Sequence, residues 1–270
     1  MMNKLEYHSH TTYCDGINTP ADMAVSAYSK GYSVFGFSGH APLDGTDYCM
    51  TPEGTSKYIE EVNNLKLQYH DRMEILLGIE CDYYSKIDSS HFDYVIGSVH
   101  HLIVDGVNYS VDYKPEILAD AINQAYSGDP YKLVGDYFEH EGRLFDKVDA
   151  DIIGHFDLIT KFNEKHPIFD ISDKRYQNAW KSALDELLRH NVPFEVNTGA
   201  VSRGWRKDPY PSAEILKYIF EHGGNIIITS DCHSADTIGF AFEDARDFAM
   251  QCGFKSQVIP KNGSFEEVEL

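Results

Sequence analysis

Ile75-Leu76-Leu77-Gly78-Ile79-Glu80 is a short apolar run that stops on a carboxylate. It reads as a buried strand, and a carboxylate at its end is costly unless it is exposed or paired with a cation. Ile226-Ile227-Ile228-Thr229-Ser230 stops in the same way on Asp231. Other apolar runs end on or just before histidine, giving Tyr7-His8-Ser9-His10, Ser38-Gly39-His40, Ser98-Val99-His100-His101, Gly154-His155-Phe156-Asp157 and Ser230-Asp231-Cys232-His233. Imidazole and carboxylate are ligand types that zinc, manganese and iron accept.

Strands are expected at Leu5–His8, Tyr32–Ser38, Ile75–Glu80, Tyr94–His100, Asp151–His155, Phe194–Asn197 and Ile226–Ser230. Helices are expected between them at Pro20–Lys30, Thr55–His70, Pro115–Ser127, Tyr131–Val148, Asp173–His190, Ser212–His222 and Ala235–Cys252. Thr19-Pro20 is a helix start, and Gly31 and Gly223-Gly224 are helix stops. Repeated strand–helix units predict an α/β parallel layer structure. A closed or nearly closed barrel, TIM-barrel-like with one unit fewer than eight, comes first, and it puts the strand-end ligands on one rim. An open doubly wound sheet comes second, and it lacks a Gly-x-Gly-x-x-Gly after a strand. Residues 1–270 read as a single domain, and Ala41–Gly54 reads as a rim loop or lid.

The 270 residues are 42% hydrophobic, enough for a sizeable core. A net charge of −20 argues against a nucleic-acid partner. No long apolar stretch or leader is visible, so neither a membrane span nor secretion is expected. Five cysteines in no C-x-x-C pair read as reduced thiols of a cytoplasmic protein.

His8 and His10 alternate on an extended segment, so both imidazoles can face one ion. His233 follows Asp231 at the same spacing, on the same face if the chain stays extended. His100 and His101 are adjacent and face opposite ways, with strand phase favouring His100 inward. His70, His91, His140, His166, His190 and His222 read as ordinary surface histidines.

Taken in order, these clusters, with Asp15 and Asn197-Thr198-Gly199, resemble the PHP (polymerase and histidinol phosphatase) superfamily, and within it the monofunctional histidinol-phosphate phosphatases. The resemblance spans essentially the whole chain. It implies a distorted seven-stranded (β/α)7 barrel holding three divalent ions (Zn, Mn or Fe). By position, one ion would take His8, His10, Glu80 and Asp231. A second would share Glu80 and add His100 and His155. The third would take Asp15, His40 and His233. Basic residues for a substrate phosphate would be Lys161 and either Arg203 or Arg206, with Arg203 preferred, and Asn197 is a further substrate-binding candidate. The implied activity is hydrolysis of L-histidinol phosphate in histidine biosynthesis, by a hydroxide shared between the two ions on Glu80, with Asp231 taking or orienting its proton. Loop acids Asp44, Asp47, Asp105 and Asp112 would suit the cationic end of that substrate. Rival readings are a broader phosphoesterase for nucleotides or phosphotyrosine, a metal-dependent amide hydrolase, and a non-enzymatic module whose ions only stabilise the fold.

Overall fold

The fold is taken from a computed structural model that describes residues 4–261 and 264–270. The chain runs β1 (Lys4–Glu6), α1 (Pro20–Ser29), β2 (Tyr32–Phe37), α2 (Pro52–Tyr69), β3 (Glu74–Asp82), β4 (Tyr94–Ser98), β5 (His101–Val104), β6 (Val107–Ser110), α3 (Pro115–Gln124), α4 (Pro130–Gly142), β7 (Ile152–Ile153), α5 (Lys174–Leu187), β8 (Phe194–Asn197), α6 (Gly199–Ser202), α7 (Ala213–Glu221), β9 (Ile226–Thr229), α8 (Phe242–Gln251), β10 (Ser256–Lys261) and β11 (Ser264–Glu269). Seven strands form one parallel sheet in the order β1-β2-β3-β4-β7-β8-β9. They are the seven strands expected from the sequence, with shifted ends.

The two edge strands, β1 and β9, meet without a regular ladder. Ser9 and Cys232 form a parallel bridge. The His10 amide donates to Cys232 O at 2.9 Å, and the Cys232 amide to His8 O at 3.2 Å. Lower down, the Glu6 carboxylate spans the seam and accepts the Ser230 amide at 3.2 Å and the Ser230 hydroxyl. A side chain therefore does part of the joining that backbone pairs do in a regular barrel, which is the physical content of the distortion.

Inside the barrel Tyr7, Tyr94, Ile96, Ile152 and Ile227 pack together, and Ile259 of the β10–β11 hairpin covers them from the strand N-terminal end. A larger apolar layer separates the sheet from its helices. Helix starts follow the cap chemistry. Thr19 and Thr51 accept amides from Asp22 and Gly54, each ahead of a first-turn proline. For this reason α2 begins at Pro52 rather than Thr55, shortening the rim loop. The helix expected over Ala235–Cys252 is broken by Gly239 and Ala241, both left-handed (φ 68° and 55°), and only Phe242–Gln251 is α-helical. The β5–β6 hairpin, joined by Asp105 and Gly106 with φ of 50° and 78°, was not anticipated. Among the described residues no helix is long and apolar enough to cross a membrane.

Gly36 and Gly78 leave room for the Tyr94 ring, whose hydroxyl donates to Tyr7 O and Phe37 O. A Cβ on Gly78 would overlap that ring directly. Gly78→Ala is expected to cost about 3 kcal/mol, the upper end for overpacking a core. Urea denaturation measures it, and a loss below about 1 kcal/mol would mean the barrel interior is looser than described.

Candidate metal centre

Glu80, near the end of β3, is 1% exposed and stands at the middle of the strand C-terminal mouth. Its Oε1 accepts the Ser98 hydroxyl at 2.9 Å and lies 3.0 Å from His155 Nε2 and 3.3 Å from His100 Nε2. Its Oε2 lies 3.0 Å from His40 Nδ1, 3.3 Å from His8 Nε2 and 3.6 Å from His10 Nε2. None of the three makes a hydrogen bond to Oε2, which is buried and unpartnered. A carboxylate oxygen ringed by imidazole nitrogens and bonded to none of them suits a shared cation.

The remaining groups continue outward from that point. Asp231 Oδ1 is 3.3 Å from His10 Nε2 and 3.8 Å from His8 Nε2. Asp15 Oδ2 is 3.0 Å from His233 Nε2, and Asp15 Oδ1 is 3.7 Å from His40 Nε2. Three sets have all their ligand atoms within 4.8 Å of one another: His8, His10 and Asp231; His40, Glu80 and His100; and His10, Asp15, His40 and His233. Eight of the nine residues singled out from the sequence fall in these sets, and the ninth, His155, lies beside Glu80 at the same mouth. The grouping differs in detail: His40 sits between the second and third sets, and His10 between the first and third.

Asp231 and His233 reach the mouth by a route the spacing did not foresee. The chain does not stay extended, because Asp231 adopts a left-handed conformation (φ 46°). Aspartate tolerates this better than most side chains, and such strain collects at functional sites. Gly199 faces the Asp231 carboxylate and the Arg203 guanidinium, where any Cβ would collide with both.

Electrostatics follow from burial opposed by neighbours. Burial would raise the Glu80 carboxyl, but His8, His40 and His100 outweigh it and hold it well below the usual range. Asp231 is likewise held low, by Arg203 and His8 against burial. Burial disfavours charge on His8, yet Glu195, Glu80 and Asp231 lift it well above an ordinary imidazole. His10, buried against His233 and His40, is pushed down to about 3. Burial pushes the Cys14 thiol up to about 12, so it stays protonated 3.5 Å from His10 Nδ1.

A cavity of about 270 Å³ opens over the cluster, lined among others by Tyr48, Ser110, Asp112, Tyr113, Lys161 and Arg203. Lys161 Nζ donates to Asp112 Oδ2 at 2.9 Å. Arg203 donates to Asp231 Oδ2 at 3.0 Å. Two expected substrate-binding residues point elsewhere. Arg206 is buried and donates to Thr160 Oγ1 at 2.6 Å, with Asp157 Oδ1 at 3.3 Å, and it is absent from the cavity wall. Asn197 donates to Glu195 at 3.1 Å and accepts the Gly199 amide at 2.9 Å, so its polar atoms serve the β8 end. A larger cavity of about 690 Å³ lies at the opposite end of the barrel under the β10–β11 hairpin. Among the described residues none of the three ligand sets touches it.

A family model for the PHP domain matches residues 6–199. The chain belongs to the PHP domain family. The match stops short of Asp231 and His233, which the tertiary structure brings to the same mouth. The chain is similar to the probable histidinol-phosphatase of Schizosaccharomyces pombe, 29% identical over 90% of this chain and 84% of that one. It is 24% identical to the histidinol-phosphatase of Bacillus subtilis, over 90% and 98%. Its fold matches the histidinol phosphate phosphatase of Lactococcus lactis, solved with zinc, L-histidinol and phosphate, with a TM-score of 0.75 at 19% identity over 98% of this chain and 100% of that one.

Sequence reasoning passed over the acids behind this PHP centre. Asp82 Oδ2 accepts the His100 amide at 2.7 Å. Glu195 Oε1 lies 2.6 Å from His8 Nδ1. Glu6 accepts the His8 amide at 2.9 Å. For Glu6 and Glu195 the one signal was an acid between apolar strand residues, whereas Asp82 follows a run that already stops on Glu80. Burial pushes the Glu6 carboxyl up to about 7, against the hydrogen bonds from Ser230 and His8. An unfolded chain releases this proton near an ordinary glutamate value while the fold retains it. Glu6 therefore makes stability fall as pH rises from about 4.5 to 7, by about 3 kcal/mol in all, and level off above. Glu6→Gln mimics the protonated acid. The stability difference between variant and wild type, metal-free, is expected to grow in the variant's favour across that window, and a flat difference in urea titrations would contradict it.

Proposed function

We propose that this PHP protein is a metal-dependent phosphate-monoester hydrolase that releases L-histidinol and phosphate from L-histidinol phosphate. The observation that carries it is the Glu80-centred cluster, which opens onto a cavity holding both a lysine and an arginine. Its volume lies near the lower end for ligand sites, about 300 Å³, and suits a small molecule better than a polymer. The histidinol-phosphatase names of the Schizosaccharomyces pombe and Bacillus subtilis relatives support the substrate.

The residues fit three divalent ions (zinc, manganese or iron). His8, His10 and Asp231 would hold one with Glu80, His100 and His155 a second with Glu80, and Asp15, His40 and His233 the third. Bound there, such ions acidify water near neutral pH and stabilise charge on phosphate oxygens. The chain's own groups supply the remainder. Lys161 and Arg203 both line the cavity and would neutralise the outer phosphate oxygens, lysine as a point charge and arginine as a planar fork. Asp231 Oδ2 accepts from Arg203, which fixes the orientation of the carboxylate at the cluster. Asp112, which accepts from Lys161 at 2.9 Å, holds that ammonium at the cavity wall.

Steady-state hydrolysis of L-histidinol phosphate, AMP and phosphotyrosine by protein loaded with manganese, zinc or iron tests the reading. The first substrate is expected to lead in kcat/KM, and no turnover of any ester would remove the proposal. Glu80→Ala is expected to lose bound metal and activity together, as elemental analysis alongside the assay would record.

The two cations are expected to separate kinetically. Lys161→Ala should raise KM about tenfold, roughly 1.4 kcal/mol of uniform binding, with little change in kcat. Arg203→Ala should lower kcat as well, because it also releases Asp231. Equal effects of the two substitutions on both constants would show that Arg203 does not orient Asp231.

A further inference from the structure

Glu195, the second residue of β8, is 1% exposed. A carboxylate this deep is tolerated only when its oxygens are bonded. Its Oε2 accepts the His155 amide at 3.0 Å and the Asn197 amide group at 3.1 Å. Its Oε1 lies 2.6 Å from His8 Nδ1. Two N–H groups aimed at Oε2 leave no place there for an acidic proton. The short contact at Oε1 is then an Nδ1–H donating to a carboxylate that accepts at both oxygens. His8 presents its other nitrogen, Nε2, to Glu80, His10 and Asp231.

We propose that Glu195 is a positioning residue of the metal centre. It keeps the His8 proton on Nδ1 so that Nε2 is the ligating nitrogen, and through the His155 backbone it ties the first and second ion positions to one carboxylate. A histidine ligand whose far nitrogen donates to a carboxylate is fixed in tautomer and ring orientation and made more basic, and losing that partner costs about 10–100-fold in metal affinity. Here one buried acid reaches a ligand of each of two positions, His8 by its ring and His155 by its main chain. Glutamine cannot replace it. Three donors converge on Glu195, and an amide offers one oxygen, so an NH2 group must oppose either His8 Nδ1–H or the pair of donors at the other side. If it faces His8, the tautomer reverses and Nε2 acquires the proton.

This inference rests on the reading that the cluster holds divalent ions. Metal-free wild type, Glu195→Gln and Glu195→Asp would be titrated with Co2+, followed by its visible absorption, with circular dichroism recording the fold. Glu195→Gln is expected to keep the native fold and bind the first Co2+ about 10–100-fold more weakly. It should also lack the low-field exchangeable proton resonance expected of His8 Nδ1–H in wild type. Unchanged Co2+ affinity in Glu195→Gln, with only a lower Tm, would overturn the proposal. If that variant does not fold, Glu195→Asp decides: its shorter arm should weaken Co2+ binding, and wild-type affinity would overturn the proposal. Failure of wild type itself to take up Co2+ would sink the metal reading and this one together, whereas normal uptake by wild type and both variants would sink this one alone.

Discussion

One buried carboxylate organises this molecule. Glu80 is almost fully buried and faces imidazoles from four other parts of the chain: the β1 end, the loop after β2, the β4 end and the β7 end. Without positive charge nearby, its burial would be prohibitive. The mutual dependence is visible in the charge states: the imidazoles hold Glu80 ionised, while Glu80 draws charge onto His8, His40 and His100. A set of protein groups that balance one another this way is also one that divalent ions can take over, because an ion replaces the protons.

The barrel exists to bring those ends together. Parallel strands share a direction, so residues that follow strand ends collect at one mouth. Closing the ring puts β1 beside β9, and with them His8 and His10 beside Asp231 and His233. The seam that does this is sparsely bonded and leans on Glu6 and Ser230. Beneath the cluster, Glu6, Asp82 and Glu195 hold backbone amides and a ring nitrogen of the histidines above them. The site is therefore built in two depths, with histidines and carboxylates at the mouth and buried acids holding them from below.

Much of this was legible beforehand, for a definite reason. Strand runs such as Ile75–Ile79 and Ile226–Thr229 announce themselves by apolarity, and a polar group at their ends stands out against it. Groups inside the runs were not legible in the same way. Glu6 and Glu195 have the composition of solvent-facing strand residues, and only their neighbours reveal that they point inward. Arg206 and Arg203 are three residues apart with equal chemistry, yet one is captured by Asp157 and Thr160 and the other faces the cavity. The β5–β6 hairpin was missed because its strands are short and partly exposed. The β10–β11 hairpin was missed although Asn262-Gly263 between its strands is a strong turn signal in the sequence.

Local chemistry in the sequence determined the alternation of strands and helices, the helix starts at Thr19-Pro20, and which histidines and acids follow strand ends. These are properties of neighbours along the chain, where period, cap and breaker act over a few residues. The tertiary structure alone decided which carboxylate sits at the centre, that Asp231 turns left-handed to reach it, and which basic side chain remains open to a ligand. Those outcomes depend on groups tens to hundreds of residues apart meeting in a buried space. No local pattern encodes the partner that makes such a burial tolerable.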